Sequence, residues 1–537
     1  MVHELLTDPV LVVFAVFGVG AAGGALRVRG FSFGPAAALF GGLAAGAIDH
    51  RMSTLSGLGL LRELGLVLFT YTVGLASGPT FVAGLRRGGG RAVAVTVALV
   101  GALGLGCAGI GALFGLDAAD RAGLFAGSAT NTPALQAAGD ALAAGESAAG
   151  AGDPVVAYSI TYPVAVLSML VVITLLAGRR LPLPARLEPA PPPPHGEHPV
   201  NWTVRVTMAH APTLDELAAV NPGIGFSRIE HDGVVRIATG AERLLPGDAV
   251  VLIGPRPQVA ELCDALGRRS DRHLPLDRSS IDFRRIVVSN RALAGRSLAG
   301  LDLGGRFGAT VTRVRRGDDD LVAHPDLVLQ LGDRVRVVGP VAQLARVAEL
   351  LGDSERRLSE VDAVGLAAGI VAGLALGAVS MPLPGGVRFA LGAGGGPLVA
   401  GLVLGTVSRT GPVTWQLPHG ANLVLRQLGI GLFLAAAGLG AGATFADAVL
   451  TRHGLTLLVA GAVLAAAYAA AVPLAVQVLL RRDVHEAAGM LAGMETQPAA
   501  LAYAGERSGG DERVNAAYAL VFPAAMIAKI VVVQLLV

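Results

Sequence analysis

The sequence predicts a polytopic α-helical membrane protein built as an inverted repeat. Each half carries five spans plus one re-entrant or broken helix, and an α+β soluble insert separates the halves. Three observations lead there: an apolar composition, ten long apolar runs in two groups of five, and two polar, proline-containing segments that answer each other across the chain. Of the 537 residues, 53% are hydrophobic, 15% are charged and 74 are glycine, far from a soluble globular average.

The runs fall near 9–26, 31–48, 61–81, 92–116 and 154–178, then near 363–380, 389–408, 425–445, 453–479 and 515–537. About 20 apolar residues in a helix cross about 30 Å of hydrocarbon, so each is a candidate span. The N-terminus "MVHELLTDPV" lacks a basic leader region, and "RVRG" follows the first run where a signal peptide would carry small residues. It is read as a first span. Residues 1–182 form the first membrane repeat and 358–537 the second. Between them, 183–199 is a proline-rich linker that behaves as a stiff extended spacer, and 200–275 and 276–357 are two soluble modules.

The halves match in detail. "LRELGLVLFTYTVGLASGPTF" at 61–81 and "LRQLGIGLFLAAAGLGAGATF" at 425–445 share eleven of twenty-one residues, and "YSITYP" at 158–163 matches "YALVFP" at 518–523. Orientation follows from arginine counts in short loops. With the N-terminus outside, Arg27, Arg29, Arg86, Arg87, Arg91, Arg179 and Arg180 are cytoplasmic, whereas Arg51 and Arg121 are outside. In the second half Arg409, Arg481 and Arg482 are cytoplasmic, with Arg388 and Arg452 outside. An odd number of spans per repeat inverts the second copy.

That count holds only if 120–140 and 486–504 enter and leave on one side. They contain "GSATNTPAL" at 127–135 and "GMETQPAAL" at 493–501, which pair Gly127 with Gly493, Thr130 with Thr496, and the amide of Asn131 with that of Gln497. Broken helices survive in hydrocarbon only where protein or a water-filled cavity satisfies the freed backbone groups. Thr, Asn and Gln can do this, Gly permits the turn, and Pro133 and Pro498 begin or end half-helices. Two breaks entering from opposite faces meet near the midplane, with half-helix N-termini directed at an anion. The expected substrate site is Ser128, Thr130, Asn131, Thr132, Pro133, Glu495, Thr496, Gln497 and Pro498.

Lys529, the one lysine, joins them. It lies mid-span where the repeat has Met169, and Glu495 stands where the repeat has Ala129. A charge at such depth is costly and usually functional. Lys529 therefore neutralises an anionic substrate or pairs with Glu495, unless it snorkels to the interface. Arg62 and Arg426 begin their helices and are read equally as interface anchors or functional groups.

Several classes are excluded. A net charge of +2 with scattered basic residues gives no nucleic-acid surface. Cys107 and Cys263 cannot build a disulfide framework or a cysteine-rich metal site. "GVGAAG" at 18–23 and "GLGCAG" at 104–109 lie inside apolar helices, so small-residue packing explains them better than a dinucleotide. No reactive constellation appears, so neither an enzyme nor a cofactor is expected.

The insert is itself duplicated: "LLPGDAVVLIGPRPQVAELCDALG" at 244–267 parallels "LQLGDRVRVVGPVAQLARVAELLG" at 329–352. Each gives a Gly-Asp turn, a strand ending at Gly-Pro and an amphipathic helix. These modules resemble the C-terminal (TrkA-C) module of potassium-conductance regulators. The nucleotide-binding module that usually precedes it is absent, so a structural or dimerising role is expected.

Taken with "GSATNTPAL" and "GMETQPAAL", the whole chain resembles the aspartate–alanine exchanger family of bacterial inner-membrane transporters. The resemblance implies a secondary antiporter for small amino acids or dicarboxylates, such as aspartate, alanine or succinate. It also implies a homodimer in the lipid bilayer, with an elevator-like transport domain and a cytoplasmic insert. A regulated ion channel and a C4-dicarboxylate transporter are the alternatives, although no filter-like segment is present.

Overall fold

The computed structural model describes residues 8–26, 37–144, 152–177, 200–208, 211–221, 224–238, 240, 242–272, 274, 281–316, 319–323, 325, 327–354, 361–382, 388–508 and 511–537. The proline-rich linker and Arg27, Arg29, Arg179 and Arg180 lie outside them.

Setting single turns aside, the first half runs α1 (Pro9–Gly24), α2 (Ala37–Ile48), α3 (Leu58–Gly84) and α4 (Gly90–Phe114). Two short limbs follow, α5 (Ala118–Ser128) and α6 (Thr132–Ala144), and then α7 (Pro154–Ala177). Helix starts are set by acidic caps. Asp8 accepts from the Val10 and Leu11 amides at α1, and Asp117 from the Asp120 amide at α5, satisfying donors that a helix start leaves free.

The insert folds as two antiparallel sheets. The strands of the first are β1 (Val200–Val206), β2 (Gly225–His231), β3 (Val234–Ile237), β4 (Ala249–Gly254) and β5 (Gly267–Arg269), in the order β3-β2-β4-β1-β5. Helices α8 (Leu214–Val220) and α9 (Arg256–Leu266) accompany it. The second sheet comprises β6 (Ile281–Val287), β7 (Thr310–Arg316), β8 (Asp319–Val322) and β9 (Arg334–Pro340), in the order β6-β9-β7-β8, and α10 (Val341–Leu351) follows. The second order read backwards is the first without its edge strand, so the sequence repeat is also a repeat of topology. Each module has its own core: Val204, Val250, Leu252, Val259 and Leu266 in one, and Ile286, Val335, Val337, Val347 and Leu351 in the other.

The second half repeats the first: α11 (Ala363–Ala378), α12 (Gly392–Val407), α13 (His419–Val449), α14 (Arg452–Leu479), limbs α15 (Val484–Met494) and α16 (Pro498–Arg507), and α17 (Glu512–Leu536). Among the described residues six helices are long and apolar enough to cross a membrane: α3, α4, α7, α13, α14 and the Arg513–Leu536 part of α17. The other four expected spans, α1, α2, α11 and α12, are shorter apolar helices. Leu105, Leu113, Leu167 and Val463 point outward from the long helices, as a surface facing lipid requires.

Inside the membrane unit the halves are joined by glycines in equivalent positions. A Cβ on Gly65 would lie 2.6 Å from the Gly429 carbonyl oxygen, and one on Gly429 would lie 2.7 Å from that of Gly65. These are matched residues of the 61–81 and 425–445 repeat, so a pseudo-twofold axis passes between them. To either side, Gly42 and Gly46 of α2 meet Gly438 and Gly442 of α13, while Gly401 of α12 meets Gly74 of α3, with Gly405 against the Leu75 carbonyl and Gly78 against that of Leu402. Each is a small-xxx-small pair that lets backbones touch where hydrophobicity gives no drive. Outside this spine, α7 packs on α14 and α17 on α4, so the last helix of each half lies against the other half.

The modules solve one local problem in two ways. Asp248 and Asp333 are equivalent buried residues that close the Gly-Asp turn, accepting the Leu245 and Gln330 amides at 2.8 Å. Asp333 is gripped by both arms of Arg316 at 2.8 Å, whereas Asp248 meets His231 Nδ1 at 2.6 Å. His231 and Arg316 occupy the same position in their strands. The hydrogen bond to Asp248, then its charge and that of Asp232, raise the His231 pKa above its ordinary 6.5. A raised value means that the pair stabilises the first module fully below about pH 6.5 and loses that contribution as the pH climbs through the raised value. Amide-exchange protection of β2 and β4 is expected to fall on going from pH 6 to pH 8, and His231→Arg should flatten the profile. Protection that rises with pH, or a variant as pH-dependent as the parent, would count against the pairing.

Candidate functional site

The two broken segments are built alike. In the first, α5 ends at Ser128, the chain turns through Ala129 and Thr130, and α6 starts at Thr132; in the second, α15 ends at Met494, Glu495 and Thr496 turn, and α16 starts at Pro498. The Thr130 amide donates to the Gly127 carbonyl and the Asn131 amide to that of Ala126; Thr496 and Gln497 do the same to Gly493 and Ala492. This is the Schellman arrangement, which needs a left-handed residue at the position that glycine usually takes. Here it is threonine in both copies, with φ of 47° at Thr130 and 56° at Thr496. A left-handed β-branched residue carries strain of about 1–3 kcal/mol, and such a conformation persists only where the surroundings over-determine it.

The expectation that glycine permits the turn is therefore corrected. Gly127 and Gly493 lie inside the first limbs, where a Cβ would fall 2.8 Å from the Tyr158 carbonyl oxygen and 2.9 Å from that of Tyr518. One turn earlier, Gly123 and Gly489 approach the Pro154 and Val514 carbonyls to 2.2 Å by the same measure. The glycines seat each limb on the last helix of its own half, and threonine makes the turn.

The two turns meet and satisfy each other. Thr130 Oγ1 donates to the Glu495 carbonyl oxygen in a short contact. Thr496 Oγ1 lies 2.7 Å from the same oxygen and 3.4 Å from the Thr130 carbonyl, and Asn131 Nδ2 donates to it at 3.2 Å. Asn131 Oδ1 also accepts the Ala134 amide at 2.7 Å, capping α6. Gln497 does not cap α16; its Nε2 donates to the Tyr162 hydroxyl at 2.7 Å.

Lys529 is fully buried, which removes the snorkelling alternative, and its Nζ donates to the Ala129 carbonyl at 2.7 Å, with Thr496 Oγ1 at 3.4 Å. A cation thus sits on the negative end of α5. Glu495 is close enough for their charges to act on each other, yet no ion pair joins the two among the described residues. The Glu495 carboxylate and Ser128 Oγ are buried without a hydrogen-bond partner among the described residues, and so is the hydroxyl of Tyr468 on α14.

The structure thus brings together Thr130, Asn131, Glu495, Thr496, Gln497 and Lys529. Ser128 and Thr132 flank them, Pro133 is the second residue of α6, and Pro498 opens α16. Arg62 and Arg426 stay apart from the contacts at the turns, Arg62 lying where its charge acts on Asp140 and Asp153. Sequence reasoning missed Tyr162 and Tyr468. Tyr162 stands in the matched "YSITYP" segment, but no signal in the sequence singles out Tyr468.

A polytopic helical unit with two broken helices crossing at buried polar residues defines a membrane transporter. The family described as "Predicted Permease Membrane Region" (Asp-Al_Ex) matches residues 12–178 and 365–537, and a TrkA-C domain matches residues 283–352. The chain belongs to this predicted permease family. It is similar to an uncharacterized transporter of Geobacter sulfurreducens, at 41% identity over 100% of this chain and 99% of the relative. Uncharacterized transporters of Cutibacterium acnes and Symbiobacterium thermophilum are 40% and 37% identical, covering 99% and 100% of this chain and 98% and 99% of theirs. The TrkA-C match falls on the second module; the first shares its strand order. A solved RCK domain of GsuK aligns with 35% of this chain and 70% of its own at 10% identity, with a TM-score of 0.15, too low to bear on the fold.

The strained threonines give a test. Thr130→Val keeps the strain and removes one of the two hydroxyls on the Glu495 carbonyl, at about 1 kcal/mol. Thr130→Gly loses the same bond but releases the left-handed penalty. Thermal unfolding in detergent should rank wild type above Thr130→Gly and Thr130→Gly above Thr130→Val; the reverse order of the variants would remove strain from the account.

Proposed function

We propose that the chain is a secondary antiporter exchanging small amino acids or dicarboxylates, of the aspartate/alanine type. In this reading the crossing of the two broken helices is the substrate site, and a transport domain carries it across the bacterial inner membrane by elevator-like alternating access in a homodimer. The insert is cytoplasmic. The observation that carries the reading is the meeting of two equivalent breaks, one from each half, at buried polar groups that the fold leaves partly unpaired. Secondary transporters bind solute where discontinuous helices of two repeats meet. The Lys529 ammonium and the helix starts behind Asn131 and Gln497 favour an anionic group there.

Gln497 offers the cleanest test, because it caps no helix and its side chain donates to the Tyr162 hydroxyl. In proteoliposomes, counterflow of labelled aspartate, alanine and succinate should saturate and require solute on the far side. Gln497→Ala should cut that exchange about tenfold, the worth of one lost polar contact, with only a small fall in the unfolding temperature from the lost bond to Tyr162. Asn131→Ala should lower both exchange and stability, since Asn131 also caps α6. Current without saturation would favour a channel, and full exchange by Gln497→Ala would remove that residue from the site.

A further inference from the structure

Glu495 is a carboxylate for which the fold provides no partner. It is fully buried, and neither of its oxygens receives a hydrogen bond from a described residue. The donors of the two turns make their hydrogen bonds elsewhere. The single hydroxyl proton of Thr130 goes to the Glu495 main-chain oxygen, and Thr496 Oγ1 sits 2.7 Å from that same oxygen. Two of the three Lys529 ammonium donors go to the Ala129 carbonyl at 2.7 Å and to Thr496 Oγ1 at 3.4 Å. The turn itself does not need an acid: the first repeat makes the same Schellman turn with Ala129 in this place. A buried carboxyl group whose oxygens receive no hydrogen bond is costly for a fold to hold. Its retention in one repeat alone points to a group that is absent from the chain and arrives with a positive charge.

We propose that Glu495 is the seat for a protonated amine carried by the transported solute. This deepens the reading of the crossing as a substrate site and rests on it. Two hydroxyls at the crossing suit the rest of such a solute. Ser128 Oγ, next to the residue that holds Lys529, and the Tyr468 hydroxyl, near enough to Glu495 to sense its charge, are buried donors without partners among the described residues. An α-amino acid presents an amine and a carboxylate a few bonds apart, matching one unpaired acceptor group and two unpaired donors. A dicarboxylate leaves Glu495 unanswered.

The test uses the full-length protein in proteoliposomes, wild type and Glu495→Gln, with uptake of labelled aspartate and succinate each measured against the same unlabelled solute inside. Glutamine keeps the shape and removes the charge. The ratio of aspartate to succinate exchange should fall about 10- to 100-fold, the range for one charge-assisted hydrogen bond. An unchanged ratio, including one in which both solutes are lost alike, overturns the proposal. A second measurement separates it from the transport reading: modification of wild-type Glu495 by dicyclohexylcarbodiimide, followed by peptide mass spectrometry. Alanine and aspartate should protect Glu495, and succinate should not. Aspartate exchange without protection by aspartate removes the amine seat and leaves transport standing. Protection by the amines without exchange of any solute supports the seat and removes the antiport. Protection by succinate equal to that by alanine overturns the seat.

Discussion

The membrane unit depends on how two helix breaks dispose of their backbone groups. In hydrocarbon a free carbonyl or amide costs several kcal/mol, and each break frees some. The Schellman turns return two amides to their own limb, but carbonyls remain. The Glu495 carbonyl is taken by Thr130, the Thr130 carbonyl faces Thr496, and the Ala129 carbonyl is held by Lys529. Of these carbonyls only that of Glu495 also receives a donor from its own half, Thr496 Oγ1 at 2.7 Å, so the two breaks lie against each other to satisfy the rest. That requirement ties the repeats together at their buried crossing.

Bringing the tips together sets demands on everything around them. The limbs must lie flat on the last helix of each half, which the glycine pairs 123/127 and 489/493 allow. The halves must also approach without side chains between them, which Gly65 and Gly429 allow on the pseudo-twofold axis. Lipid and protein interiors are equally apolar, so close backbone packing replaces the hydrophobic drive of a soluble core. The abundance of glycine in this chain is in part a packing code.

On this symmetric spine the charges are asymmetric. Both Glu495 and Lys529 come from the second half, where the first has Ala129 and Met169. The first half contributes the carbonyl that Lys529 holds, so the pair is split by a hydrogen bond instead of being joined by one. Direct contact between the two would have neutralised both charges within the chain. The insert shows the same economy of duplication with divergence, in which His231 and Arg316 hold equivalent aspartates.

Much of this was legible in the sequence because it is written in local, periodic signals. Apolar runs gave the helices, the recurrence of "GSATNTPAL" as "GMETQPAAL" gave the two breaks to within a residue, and "GDAVVLIGP" with "GDRVRVVGP" gave the central strands of both sheets. Among the described residues four of the runs fold as shorter apolar helices, and residues 31–36 of the second run lie outside the described residues. The turn residue was misread. Glycine is the local choice for a left-handed turn, yet here a strained threonine is held by hydrogen bonds from across the chain. The sequence by itself determined which groups are polar, repeated or charged within the apolar segments. Only the tertiary structure decided which of them neutralise each other, because hydrogen bonds are spent by geometry between residues hundreds of positions apart, and that spending left Glu495 unpaired while it committed Lys529.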